Sequence, residues 1–178
     1  MVFVFISMAI CAFFLLQSRK YNASTLESTA ALDPCGDPLK ISTAYVLMSG
    51  KVVDVINGDT FVLIDKFGVK KTVHLIGIKA PSLNELIGVQ SQEHLLTILL
   101  NKHVTIGMAN SADLQKENVT ALASVNDENL SSVNIEQLKN GFAKYVDTGI
   151  SLDSYQSCEY KNAEEEAKIN KLGIWLSQ

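Results

Sequence analysis

The sequence predicts an α+β domain: a small curled β-barrel with helices packed on it, preceded by an N-terminal hydrophobic helix. Residues 51–82, KVVDVINGDTFVLIDKFGVKKTVHLIGIKAPS, hold three short β-rich runs parted by turn sequences. Two further β-rich runs follow, at 104–108 and 120–125. The segments between and after them carry apolar residues at helical spacing. Short strands at close spacing followed by helices point to a barrel with helices on its surface.

In chain order, Met1–Ser18 has no charged residue, and Val2–Leu16 is nearly all apolar. That run is short of the roughly 20 residues of a full membrane span, but long enough for a signal-peptide core. A signal peptide expects a basic residue ahead of its core, and none is there. Arg19 and Lys20 follow the run instead. By the positive-inside rule they hold the downstream domain on the cytosolic or matrix side. An uncleaved anchor is the leading reading, with secretion after signal cleavage as the alternative. Tyr21–Lys40 is polar and reads as a linker. The expected organisation is a hydrophobic segment at 1–20, a linker at 21–42 and one folded domain at 43–178.

Within the domain, Thr43–Met48 begins the first strand ahead of Ser49-Gly50, and Lys51–Ile56 runs on into the Asn57-Gly58-Asp59 turn. Thr60–Ile64 is the second strand and Asp65-Lys66-Phe67-Gly68 the next turn. Lys71–Ile78 is the third strand, with Val73, Leu75 and Gly77 on one face. Pro81-Ser82 marks a helix entry, with Ser82 or Asn84 as cap and Leu86, Ile87, Val89, Leu95, Leu96, Leu99 and Leu100 as apolar stripe. Val104–Met108 is the fourth strand, Ser111–Val119 a loop and Thr120–Val125 the fifth strand. Asn126–Asn129 turns into a second helix, Val133–Asn140, closed by Gly141. A third helix runs from Ser154 to Lys171, with Cys158, Ala163, Ala167 and Leu172 facing the barrel. Gly173 stops it, and Trp175 packs back on the domain.

Lys plus Arg is 15 and Asp plus Glu 19, a net charge of −4. That balance argues against a broad electrostatic footprint for nucleic acid, while leaving room for a local patch. Cys11 sits in the apolar run as a small hydrophobe. Cys35 and Cys158 flank the domain and form a disulfide if it resides in an oxidising compartment. The Asn22-Ala23-Ser24, Asn118-Val119-Thr120 and Asn129-Leu130-Ser131 triplets suit that compartment too, and pull against Arg19-Lys20.

Three stretches carry a family resemblance, the first being residues 51–82 with two motifs inside it. Asn57-Gly58-Asp59-Thr60 and Lys79-Ala80-Pro81-Ser82 stand where staphylococcal-nuclease-like domains have D-G-D-T and D-T-P-E. Val133–Lys144, VNIEQLKNGFAK, is similar to the family's V-N-x-x-L-v-x-x-G-x-A-k helix. Glu164–Trp175, EEEAKINKLGIW, resembles its closing E-x-x-A-k-x-x-k-x-G-I-W segment. The resemblance covers residues 43–178 and implies a five-stranded Greek-key barrel of the OB type with three helices.

The resemblance also implies a chemistry, phosphodiester hydrolysis. It needs Ca²⁺ held by carboxylates, two arginines on the phosphate, and a glutamate for the attacking water. Position by position, this chain departs from that set. Asp59 remains as a weak candidate metal ligand. The next acidic position falls on Lys79, and the Thr and Glu of the same motif on Ala80 and Ser82. The first arginine falls on His74 and the second near Thr120. Arg19 is the sole arginine in the chain, so a two-guanidinium phosphate clamp cannot be built from the domain.

No catalytic residue, metal or cofactor is therefore expected. The expected function is a non-catalytic nuclease-like domain, tethered through Val2–Leu16, that binds proteins or acts as an accessory subunit of a membrane assembly. The mitochondrial inner membrane or an endomembrane would be its site. One alternative is non-cleaving binding of single-stranded nucleic acid through Lys66, Phe67, Lys70 and Lys71. A residual Ca²⁺-dependent nuclease is the other.

Overall fold

Alternating apolar residues along five strands build the barrel. The computed structural model describes residues 35–36, 45–126, 132–147 and 152–177. Its strands are β1 (Val46–Asn57), β2 (Thr60–Asp65), β3 (Lys70–Leu75), β4 (Ile78–Lys79), β5 (His103–Met108), β6 (Asn118–Val125) and β7 (Lys144–Tyr145). Its helices are α1 (Leu86–Leu99), α2 (Val133–Lys139) and α3 (Ser154–Ile169). β1, β2, β3, β6 and β5 close into a barrel in that order. Every neighbouring pair is antiparallel except β3 with β6, which is parallel. The fold is thus the expected α+β class, a five-stranded mixed barrel with three helices.

Strand β1 is one continuous run of 12 residues, not two pieces parted at Ser49-Gly50. Its first half pairs with β5 and its second with β2, with Gly50 and Lys51 paired to both. One strand crossing between two neighbours is what closes so small a barrel. Strand β3 ends at Leu75, three residues earlier than predicted. Gly77, at φ +73°, turns the chain out of the barrel, and a Cβ there would lie 2.7 Å from Leu152 Cδ1 and 2.9 Å from Tyr160 Cε2. Gly77 therefore does not share the face of Val73 and Leu75. The chain continues as β4, which pairs with β7 beside the barrel.

The barrel interior is filled by Val52, Phe61, Leu63, Val73, Ile106 and Met108, all wholly buried. Helix α1 covers one end with Gly88, Ser91, Leu95 and Leu99. Part of the predicted stripe points elsewhere: Leu86 is 75% exposed, and Val89 and Leu100 also face solvent. Small residues make the close contacts in its first turns: a Cβ on Gly88 would sit 1.9 Å from Ser82 O, and Ser91 lies against Gly58 in the β1–β2 turn. Ahead of α1, Ser82 N–H donates to Glu85 Oε1 (3.1 Å) and Asn84 N–H to Ser82 Oγ (3.4 Å), forming a turn before the helix proper.

Helix α2 is capped by Ser132, which accepts from Ile135 N–H, and ends at Gly141 with φ +70°. Asn134, wholly buried, accepts from Ala123 N–H (3.1 Å) and donates to Ile76 O (2.9 Å). It joins β6 to the end of β3, satisfying two buried backbone groups with one amide. Ala163 and Ala167 of α3 pack inward, whereas Leu172 is exposed. Cys158 is half-buried and bonded to Cys35, with Cα atoms 5.4 Å apart. Trp175 is buried as predicted. The segment expected to be a loop holds a 3-10 turn at Ser111–Gln115, and β6 starts at Asn118.

The predicted hydrophobic segment lies outside the described residues, as do residues 21–34 and 37–42 of the linker, the first two residues of the domain (43–44) and the triplets at Asn22 and Asn129. Among the described residues, no helix is long and apolar enough to cross a membrane.

Candidate functional site

The turn between β1 and β2 forms because Asn57 Oδ1 accepts from the N–H of Asp59 (2.9 Å), a side-chain-closed turn. Gly58 is required by its neighbours, since a Cβ would sit 1.7 Å from Ser91 Oγ and 2.9 Å from Ala80 Cβ. Gln137 of α2, wholly buried, donates from Nε2 to Gly58 O (2.6 Å) and to Ser91 O (3.2 Å). Its Oε1 is 2.5 Å from His94 Nδ1. Helices α1 and α2 thus grip this turn from behind.

Asp59 is 6% exposed, and both of its carboxylate oxygens have partners. Oδ1 accepts from the Thr60 hydroxyl (2.8 Å), and Oδ2 accepts from Ala80 N–H (2.8 Å). Lys79 Nζ lies 3.5 Å from the same Oδ2. The Thr60 hydroxyl spends its one proton on Asp59, so the 3.1 Å contact with His74 Nδ1 requires the imidazole to donate there. The line His74–Thr60–Asp59–Lys79 is a closed chain of hydrogen bonds ending in an ion pair. His74 lies between Thr60 on β2 and Thr120 on β6 in the barrel register. Lys79 and Ala80 contact Asp59 directly, His74 reaches it through Thr60, and Thr120 is placed only as the partner of His74 on β6. Ser82 is exposed on the following turn.

This arrangement does not fit a divalent cation. Calcium takes six to eight oxygens at about 2.3–2.6 Å, whereas here one carboxylate is spoken for by three donors, one a fixed positive charge. Among the described residues, no group of three or more His, Cys, Asp or Glu is placed to hold a metal ion. No guanidinium is present in the described residues to meet a phosphate.

The second predicted cluster, at the β2–β3 hairpin, divides. Phe67 is 78% exposed with Lys66 Nζ 5.0 Å from its ring centroid, and Lys70 is exposed. Lys71, by contrast, is 5% exposed, and its ammonium donates to Leu114 O (2.9 Å) and Lys116 O (2.6 Å). It ties down the 3-10 turn, so its charge is spent inside the protein.

Sequence reasoning missed Glu85, Gln137 and Lys144. Lys144 stands directly opposite Lys79 in the β4–β7 ladder, 5.2 Å from the Trp175 ring centroid. Lys168 lies over the same ring at 4.9 Å, and its hydrogen bond to Glu164 raises its pKa. The family-like stretch ending at Lys144 does not show its place opposite Lys79, because the ladder joins segments 65 positions apart.

Residues 72–177 match the family described as staphylococcal nuclease homologue. The uncharacterized protein MJ1439 of Methanocaldococcus jannaschii is 28% identical over 151 residues, with 71% of this chain and 70% of the relative covered. The family match begins on β3 and so leaves out the Asn57–Thr60 turn, whose place beside Lys79 comes from the geometry above.

Proposed function

The chain belongs to the staphylococcal nuclease homologue family, and we propose that it is a catalytically degenerate member serving as a protein-binding or accessory subunit at a membrane. One observation carries this reading. An ammonium, Lys79 Nζ, stands 3.5 Å from Asp59, where the resemblance places an acidic metal ligand. Fold and activity separate readily in this way, because the barrel is held by its core and the chemistry by a few surface residues. The apolar run Val2–Leu16 supports a tether, at the mitochondrial inner membrane or an endomembrane. The Cys35–Cys158 bond supports an oxidising compartment, and with it the alternative of secretion.

Native separation of detergent-solubilised membranes, with mass spectrometry of whatever travels with the protein, tests the reading. Co-migration with a larger assembly is expected, and a free monomer after gentle solubilisation would sink it. Incubation with Ca²⁺ and single-stranded DNA or RNA is expected to give no cleavage. Cleavage that disappears with Asp59→Ala would restore the nuclease reading. The exposed Phe67 beside Lys66 favours the second reading, a non-cleaving single-strand binder. That reading requires salt-sensitive binding that is lost with Phe67→Ala.

A further inference from the structure

The small ladder beside the barrel sets two lysines against each other. Lys79 on β4 and Lys144 on β7 are direct antiparallel partners, so their side chains leave the same face. Like charges in that relation repel unless an anion lies between or near them. Lys79 has Asp59. Lys144 rests against the Trp175 ring, and among the described residues no carboxylate forms an ion pair with it.

A cleft of about 420 Å³ opens along this face, with Lys79 and Lys144 on its rim and Pro81, Ile87, Val146 and Ile174 as apolar walls. It shares Lys79, Ala80 and Pro81 with a second cleft of about 380 Å³ walled by Ile56 and Leu83. Of the apolar residues lining the second cleft, Ile56 and Leu83 are each 43% exposed. Apolar side chains gathered around a groove and rimmed by charge mark an interaction surface more than a solvated face. The one carboxylate lining the first cleft, Glu85, is engaged by Ser82 N–H.

We propose that this double groove binds a segment of a partner protein in which aliphatic side chains alternate with carboxylates. The aliphatic groups fill the two clefts, and the carboxylates meet Lys144 and the outer side of Lys79. This inference rests on the reading of the chain as a binding subunit and adds the chemistry of its partner. A single nucleic-acid strand fits less well, because base stacking needs an open aromatic face and Trp175 is 8% exposed.

The test uses the full chain in detergent micelles and a fluorescent peptide, Ser-Leu-Glu-Leu-Asp-Leu-Ser, beside its Gln/Asn counterpart. The acidic peptide should bind at least about tenfold more tightly than the amide peptide, and less tightly as salt is raised. Lys144→Glu and the milder Lys144→Gln should weaken it by at least about tenfold and about threefold respectively. Lys102→Glu, an exposed lysine between α1 and β5, should leave binding unchanged. Equal binding of the two peptides, no binding at millimolar concentration, or indifference to both Lys144 substitutions would each overturn the proposal. A native membrane complex that survives Lys144→Glu would also overturn it, while sparing the subunit reading. A chain that migrates alone overturns that reading and the proposal with it.

Discussion

Replacing Lys79 tests whether an internal ammonium has taken the place of a bound cation. Lys79→Met keeps most of the aliphatic stem and removes the charge. At 3.5 Å from Asp59 Oδ2, the pair attraction is about 4.7 kcal/mol at an effective dielectric of 20 and about 1.2 kcal/mol in bulk water. The Lys79 side chain is 70% exposed, so water screens one side and the smaller figure governs. Ordering a long side chain offsets part of it. The hydrogen bonds from Thr60 and Ala80 N–H remain in the variant. The expected loss is about 0.5–1 kcal/mol, or roughly 1–4 °C in melting temperature for a domain of this size.

Lys79→Asp is the sharper version. It sets two carboxylates against each other and should cost about twice as much in EDTA, with millimolar Ca²⁺ recovering part of the loss. The unsubstituted protein should melt at the same temperature in EDTA and in Ca²⁺. Differential scanning calorimetry reads all three proteins. A rise of several degrees for the unsubstituted protein in Ca²⁺ would show that a cation reaches Asp59 despite the ammonium, and the reasoning would fail. It would fail equally if Lys79→Met changed nothing.

Three other outcomes follow from the same coordinates. Gly58→Ala should cost about 3 kcal/mol, because its Cβ meets Ser91 Oγ, and adding Ser91→Gly should recover part of that in urea melts. Loss of the Cys35–Cys158 bond, whose residues are 123 positions apart, should cost about 2–4 kcal/mol. Reductant should then lower the urea midpoint of the parent protein and leave Cys158→Ser unmoved. Burial, with Tyr45 and Glu159 adding, holds the Tyr160 phenol well above its usual range, and Glu164 raises Lys168. Both folded values exceed the unfolded ones, so their contribution is complete below about pH 10 and fades as pH climbs through the raised values. The melting temperature should therefore fall above about pH 10, and Tyr160→Phe should make that fall shallower.

The strands were legible because alternation in a half-buried barrel writes itself directly into the sequence, as in Val119, Ala121, Ala123 and Val125. What escaped depended on contacts between distant segments. Leu86 and Val89 read as core because they are apolar, yet Gly88 and Ser91 make the helix contact. Gly77 read as strand because its alternation was right, and only the bulk of Tyr160 and Leu152 shows that it must turn. Lys71 read as one of three hairpin lysines, and its burial depends on carbonyls more than 40 positions away. Lys144 was legible as the end of the family-like stretch VNIEQLKNGFAK, but not as the partner of Lys79 across the ladder.

The pattern of matches and departures at the site has a physical logic. Gly58, Asp59 and Thr60, which agree with the family motif, each hold the framework. Gly58 admits Ser91, Asp59 binds Ala80 N–H, and Thr60 bridges Asp59 to His74. Asn134 and Gly141, in the second matching stretch, bind buried backbone or turn a helix end. Of the departing positions, His74, Lys79 and Ser82 are exposed and Thr120 is half-buried on β6, while the buried Ala80 serves Asp59 through its backbone N–H, which does not depend on the side chain. A residue whose only task was to hold an ion or a phosphate can change without opening the core; one that also satisfies a buried donor cannot, because the orphaned N–H would cost about 1–3 kcal/mol. Asp59 keeps its bonds to Thr60 and Ala80 N–H, and Lys79 beside it supplies the positive neighbour that stabilises a buried carboxylate whether or not any ion is present.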